Sequence, residues 1–139
     1  MAVITKTMRV KTKGELQMIN ITEDVSRVVQ ESKIKDGIAT IFLPGSTAAI
    51  TTIEYEPGLL KDFPDMLERI APKNMNYEHE QMWHDGNGHS HVRASLVGPS
   101  LTVPFTNKHL ALGTWQQIVL VELDTRGRDR SLVVQIIGE

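Results

Sequence analysis

Ile38-Ala39-Thr40-Ile41-Phe42-Leu43-Pro44-Gly45-Ser46-Thr47-Ala48-Ala49-Ile50-Thr51-Thr52-Ile53-Glu54-Tyr55 decides the fold class. Ile38–Leu43 is a short β-branched, apolar run of the kind that forms a buried strand, and Ala48–Tyr55 is a second β-rich run. Pro44-Gly45-Ser46-Thr47 between them reads as a turn. Pro57-Gly58 then breaks the second run.

Toward the N-terminus, Val3, Thr5, Thr7, Arg9 and Lys11 alternate with Ile4, Met8 and Val10, a period of two that predicts a first strand. Gly14 offers a turn, and Leu16, Met18, Ile19 and Ile21 predict a second strand paired back on the first. Thr22 reads as a helix N-cap with Glu23 and Asp24 in the first turn. Val25, Val28, Val29 and Ser32 continue at helical spacing, with Gly37 as the C-terminal cap.

Toward the C-terminus, Leu59, Leu60, Phe63, Met66, Leu67 and Ile70 mark an amphipathic helix that ends before Pro72, with Asp62, Asp65 and Glu68 on its solvated face. Pro72–Glu78 reads as loop. Asn87 is placed to cap a helix through His89, His91, Ala94 and Leu96, which Gly98-Pro99 stops. Leu101–Phe105, Gln117–Asp124 and Leu132–Ile137 read as strands, the last two joined by Arg126-Gly127-Arg128. This order has no regular βαβ alternation. It predicts a single α+β domain over residues 1–139, with a mainly antiparallel, sandwich-like sheet and about three helices.

Composition narrows the function classes. With 139 residues the chain is long enough to bury a core, and 40% hydrophobic with 23% charged residues is ordinary for a globular domain. A net charge of -2 points to neither nucleic acid nor a membrane surface. There is no cysteine, which excludes disulfides and thiolate metal sites. Any metal must rest on His, Asp, Glu or main-chain oxygen. Met1–Thr12 lacks the apolar run of a signal peptide, no later stretch is long enough to span a bilayer, and a cytoplasmic location is expected.

His79–His91 is the chemically dense stretch, reading His-Glu-Gln-Met-Trp-His-Asp-Gly-Asn-Gly-His-Ser-His and holding four of the five histidines. Imidazole binds transition metals and moves protons near neutral pH. His89 and His91 are two apart, so on a helix they point about 200° apart and one ion cannot easily take both. His79 with either of them is the easier pair. The spacing matches no standard pattern such as His-Glu-x-x-His, so a metal site and a polar surface loop both remain open readings.

Gly113-Thr114-Trp115-Gln116 reads either as a pocket wall with Trp115 stacking on a ring or as a hairpin corner anchored by a core Trp. Arg93, Arg126, Arg128 and Arg130 suit bidentate phosphate contacts if the fold brings them near the histidines; otherwise they are solvated. No Ser-His-acid order, nucleophile elbow or phosphate loop is present.

Several ordered motifs together carry a family resemblance. They are Ser46-Thr47-Ala48-Ala49, Glu54-Tyr55-Glu56-Pro57-Gly58-Leu59, Asp85-Gly86-Asn87-Gly88-His89-Ser90-His91, Leu96–Pro104, Leu110–Gln116 and Gln135–Glu139. Over nearly its full length the chain resembles the YjbQ (UPF0047) family, also labelled secondary thiamine-phosphate synthase. The resemblance implies a compact α+β homotrimer with a histidine-bound divalent metal, zinc, or magnesium where the substrate is a diphosphate. Carried over by position, the family's histidines fall on His79, His91 and Gly45. Gly45 cannot ligate, which makes His84 and His89 the natural substitutes and Glu54 or Glu56 weaker ones. The implied activity joins a pyrimidine diphosphate to a thiazole phosphate, with His79 and His91 on the metal and Arg93 and Arg128 on phosphates. Thr47, Glu54, Asn87, Ser100, Thr114, Trp115 and Gln116 are the expected contacts to the small phosphorylated or heterocyclic ligand. A non-catalytic trimer that binds metal or a small ligand is the alternative.

Overall fold

The computed structural model describes residues 1–139. The elements follow as β1 (Ala2–Lys11), β2 (Met18–Asn20), α1 (Thr22–Glu31), β3 (Gly37–Phe42), β4 (Ala48–Glu54), α2 (Pro57–Ile70), α3 (Glu78–Trp83), α4 (Gly88–Val97), β5 (Ser100–Thr106), β6 (His109–Leu110), β7 (Gln116–Glu122) and β8 (Asp129–Gly138). They build two antiparallel sheets, β1-β8-β3-β5-β6 and β2-β7-β4, so the α+β, antiparallel reading holds. No helix is long and apolar enough to cross a membrane.

Strand alternation sets the layers. On β8, Arg130, Leu132, Val134 and Ile136 turn inward, and on β3 Ala39 and Ile41 join them. β7 departs from alternation because Ile118–Glu122 are all buried. Its two faces serve two cores: Ile118 and Leu120 pack with the first sheet and with Val25 and Val29 of α1. Val119 and Val121 pack on the other side against Leu67 of α2 and Ala94 of α4. The three-stranded sheet is thus a middle layer, covered on both faces, which is why β7 reads as a continuous apolar run. Each fully buried aliphatic side chain here contributes about 1.5–3 kcal/mol.

Pro44–Thr47 carries the chain from β3 in one sheet to β4 in the other. Ala48 lies opposite Glu122 at the start of β4, so this turn, the end of β7 and the start of β8 meet at one end of the sandwich. That end holds the candidate site.

Three local expectations are corrected. β2 does not pair with β1: β1 takes a ten-residue register against β8, while Met18 belongs to the core between the middle sheet and the helices, which draws β2 to β7. Gly37 is not a helix cap. α1 ends at Glu31, the Ser32 hydroxyl donates to the Val29 carbonyl, and Gly37 opens β3 where a β-carbon would collide with the Ile137 carbonyl oxygen. Thr22 does not cap α1 with its side chain; its hydroxyl donates to Asn20 Oδ1 and accepts the Ile118 N–H, tying the helix start to β7. The elements α3 and β6 are additions.

Candidate functional site

The helix α3 buries none of its residues and ends at His84, whose backbone is left-handed with φ 52°. What folds the chain back is Glu80. Its Oε2 accepts the Gly86 N–H at 2.8 Å and its Oε1 accepts the Gly88 N–H at 2.7 Å. These bonds satisfy main-chain donors at the start of α4 that have no helical partner. Gly88 also lies against Tyr77, where a β-carbon would come within 2.5 Å of the tyrosine Cβ, so α4 can begin there only with glycine.

The resulting hairpin sets His79, in the first turn of α3, against His91 of α4, with ring centroids 4.4 Å apart and planes at 45°. Asp85, from the loop between the helices, places its two oxygens 3.0 and 3.2 Å from His79 Nε2. The donor atoms of His79, Asp85 and His91 all lie within 4.8 Å of one another. Asp85 Oδ1 accepts the Asn87 N–H at 3.0 Å. That bond, aided by His79 and His91, holds the exposed Asp85 carboxyl below its ordinary range. Asp85 is therefore a carboxylate at neutral pH.

His91 also faces a cavity of about 250 Å³ lined by Gly45, Ser46, Ala48, Ala94, Ser95 and Pro99. The small side chains on α4 and on the Pro44–Thr47 turn leave this space open beside the imidazole.

The other expected residues go elsewhere. His89 is buried on the opposite side of α4, 2.8 Å from Glu15 Oε2, and Glu15 also accepts from Lys73 Nζ at 2.6 Å. Burial pushes the Glu15 carboxyl up, but the bonds and charges of Lys73 and His89 outweigh it and the net direction is down. His84 is exposed and outside the cluster. Neither His84 nor His89 joins the donor set; Asp85 does. Arg93 is also turned away from the cluster: its Nε donates to the Ala71 carbonyl at 2.9 Å and its Nη2 to Glu68 Oε2 at 2.6 Å, so this buried guanidinium holds the end of α2 to α4. Glu54, Thr114 and Trp115 line a separate cavity, with Trp115 71% exposed, and Ser100 and Gln116 line a third. Glu56 caps α2, accepting the Gly58 and Leu59 N–H groups.

Thr47, Asn87 and Arg128 fall in a buried network at the same end of the sandwich. Thr47 Oγ1 donates to Asp124 Oδ2 at 2.9 Å, Asn87 Nδ2 to Asp124 Oδ1 at 3.3 Å, and Arg128 Nε to Asp124 Oδ2 at 2.9 Å. Burial raises the Asp124 carboxyl, but donation from the Arg126 N–H, Thr47 and Arg128 carries it below the ordinary range. Beside it, Arg130 grips Glu122 with Nε and Nη2 at 2.8 and 2.6 Å, and Nη2 also donates to Thr47 Oγ1 at 2.8 Å. Arg130 shares its face with Leu132, Val134 and Ile136, and Glu122 shares its face with Ile118 and Leu120, so the ion pair closes the end of the inter-sheet core.

Two imidazoles and one carboxylate suit zinc, which binds nitrogen and oxygen at about 2.0–2.2 Å and keeps a fourth position open in catalytic sites. Donors around such an ion stand about 3.4 Å apart, so small side-chain rotations would close the present spacing on it. The residues fit a zinc ion.

The family model described as UPF0047 protein YjbQ-like matches residues 6–139. The chain belongs to the YjbQ-like UPF0047 family. Among UPF0047 relatives, the protein of Methanothermobacter thermautotrophicus is 40% identical over 100% of this chain and 95% of its own length. YugU of Bacillus subtilis is 37% identical over 96% of this chain and 98% of its own. A crystal structure of a YbjQ-like protein of unknown function from Sulfolobus solfataricus superposes with a TM-score of 0.89 at 32% identity, covering 99% of this chain and 100% of that one. A Clostridium acetobutylicum member gives 0.87 at 39% identity, covering 95% and 99%. The UPF0047 fold thus extends over the whole chain.

The residues that sequence reasoning missed are Asp85, Glu80 and Glu122; Arg130 reads in the sequence as a phosphate contact or a solvated charge, and its buried pairing with Glu122 is not foreseen there. Asp85 sits in an Asp-Gly-Asn run whose turn character masks its role as a donor. Arg130 announces itself by parity, as a charge on the inward register of a strand.

Proposed function

We propose that this UPF0047 chain is a zinc-binding protein whose His79–Asp85–His91 centre serves a small phosphorylated or heterocyclic molecule held in the adjoining cavity. The observation that carries this reading is the convergence of three donor atoms from α3, α4 and their loop within 4.8 Å. Two imidazoles favour zinc over magnesium, which prefers carboxylates and water. A zinc ion there would supply Lewis acidity to an oxygen of the bound molecule. Asp85 stands 3.0 Å from His79 Nε2 and stays ionised, the form in which its carboxylate would ligate a cation beside the two imidazoles. Gly45, Ser46, Ala48, Ala94, Ser95 and Pro99 shape the space for the molecule.

The enzymatic form of this reading is a thiamine-phosphate synthase-type transfer, joining a pyrimidine diphosphate to a thiazole phosphate. Arg93 is engaged by Glu68, which leaves Arg128, 35% exposed and bound to Asp124, as the expected phosphate contact. The non-catalytic reading is favoured by one observation: apart from His91, the cavity lining carries no titratable side chain to act as an acid or base. We propose a cytoplasmic location; no helix of the chain is long and apolar enough to cross a membrane. We also infer a homotrimer; exposed Met82, Trp83, Leu96 and Trp115 offer apolar surface that subunit contacts would cover.

Metal analysis of the purified protein tests the centre, with one zinc per chain expected and none after His79→Ala or His91→Ala. Turnover of the two phosphorylated substrates that chelator abolishes supports the enzyme; turnover that is indifferent to both substitutions overturns a metal-centred one. A monomeric mass in solution overturns the trimer.

A further inference from the structure

Arg130 is more buried than any other arginine that reaches this end of the sandwich, at 9% exposure, and it is rigidly held. Its Nε and Nη2 are occupied by Glu122 and Thr47, but its Nη1 makes no hydrogen bond within the chain. No buried side-chain nitrogen or oxygen lacks a partner, so this Nη1 reaches solvent. It lies beside Gly45, where an added β-carbon would stand 3.0 Å from Nη1. Gly45 in turn lines the cavity onto which His91 opens, together with the hydroxyl-bearing Ser46 and Ser95.

We propose that Arg130 Nη1, exposed by the absence of a side chain at Gly45, is an oxyanion subsite for a phosphate group that also contacts the His79–Asp85–His91 centre. This deepens the proposed function and rests on its metal site. The physical basis is that a guanidinium fixed by a bidentate carboxylate contact offers a remaining N–H without further ordering of its side chain. Glu122 neutralises the buried charge, yet an anion at Nη1 gains a charge-assisted hydrogen bond in a sheltered cleft. A zinc ion held by His79, Asp85 and His91 would have one position left for an outside ligand, which an oxygen of the same phosphate would take. Phosphate and zinc should therefore assist one another's binding by equal factors.

The test is a pair of titrations on the full chain. Zinc affinity is measured by competition with a chromophoric chelator, which keeps free zinc low, with and without inorganic phosphate. Inorganic phosphate binding to the metal-free chain is measured by calorimetry. In the wild type, saturating phosphate is expected to tighten zinc about tenfold. Gly45→Leu covers Nη1, and because its β-carbon stands 3.0 Å from that nitrogen the melting temperature is read beside the titrations to check that the Glu122 pair holds; it is expected to weaken phosphate at least tenfold and abolish its effect on zinc, while zinc affinity without phosphate stays within twofold. Gly45→Ala gives a smaller loss in the same direction and serves if the leucine variant melts early. Phosphate binding unchanged in both variants overturns the subsite, as does binding that ignores zinc. If zinc fails to bind the wild type at all, the metal reading falls, and phosphate binding that depends on Gly45 still separates the Arg130 contact from that failure.

Discussion

Two polar clusters meet at the Pro44–Thr47 end of the sandwich. Around Asp124 and Glu122, every carboxylate oxygen receives a donor from Thr12, Thr47, Asn87, Arg128, Arg130 or the main chain. Around Asp85, two imidazoles approach one carboxylate, and one of them opens to a cavity. Satisfied buried networks hold a fold in one arrangement, whereas a group with unused capacity beside a cavity is available to a ligand. The contrast repeats within α4. His89 points inward to Glu15 and His91 outward to His79, although only one residue separates them.

The sharpest break of this comparison comes from removing half of the closed pair. Arg130→Met leaves Glu122 buried and unpaired, and should lower the unfolding free energy by about 3–5 kcal/mol in urea denaturation. A loss under about 1 kcal/mol would mean the pair does not close the core. Next in size, His91→Ala or His79→Ala should weaken zinc at least about a hundredfold, roughly 2.7 kcal/mol, while the metal-free protein unfolds within about 1 kcal/mol of wild type. His89→Ala inverts that pattern, costing about 1–3 kcal/mol by stripping Glu15 of a buried donor, with zinc affinity unchanged. Asn87→Ala, which removes contacts to Asp124, Ser90 and the Thr125 N–H, should cost about 1–2 kcal/mol by the same denaturation.

The smallest effect is that of acid. Asp124 and Glu15 are held below their ordinary values in the folded chain, so they bind protons less readily there than when unfolded. Their contribution is fully present above the unfolded carboxylate range and is lost as pH falls below about 4 toward the lowered folded values. Melting temperature followed from pH 6 to pH 3 should fall only in the lower part of that range. A flat profile below pH 4 would contradict the assignment.

Much of the architecture was legible because the period of the apolar residues matches the elements. α2 follows from Leu60, Phe63 and Leu67 ahead of Pro72, and β8 from Leu132, Val134 and Ile136. β2 was misplaced because a three-residue strand carries too little pattern to name its partner; the burial of Met18 in the second core decides it. α3 escaped because it buries nothing and so has no apolar stripe. At the site, the opposite directions of His89 and His91 follow from helical geometry alone. Asp85 did not follow, since its position depends on Glu80 folding the loop back onto α4. The Glu122–Arg130 pair hides behind the general rule that charges face water, and only their inward register contradicts it.

The most direct measurement is a zinc competition titration run in parallel on the wild type, His91→Ala, Asp85→Asn and His89→Ala. One zinc per chain in the wild type, retained in His89→Ala and lost or weakened at least about a hundredfold in His91→Ala and Asp85→Asn, is the predicted result. Equal zinc binding in all four, or loss in His89→Ala with retention in Asp85→Asn, would contradict it.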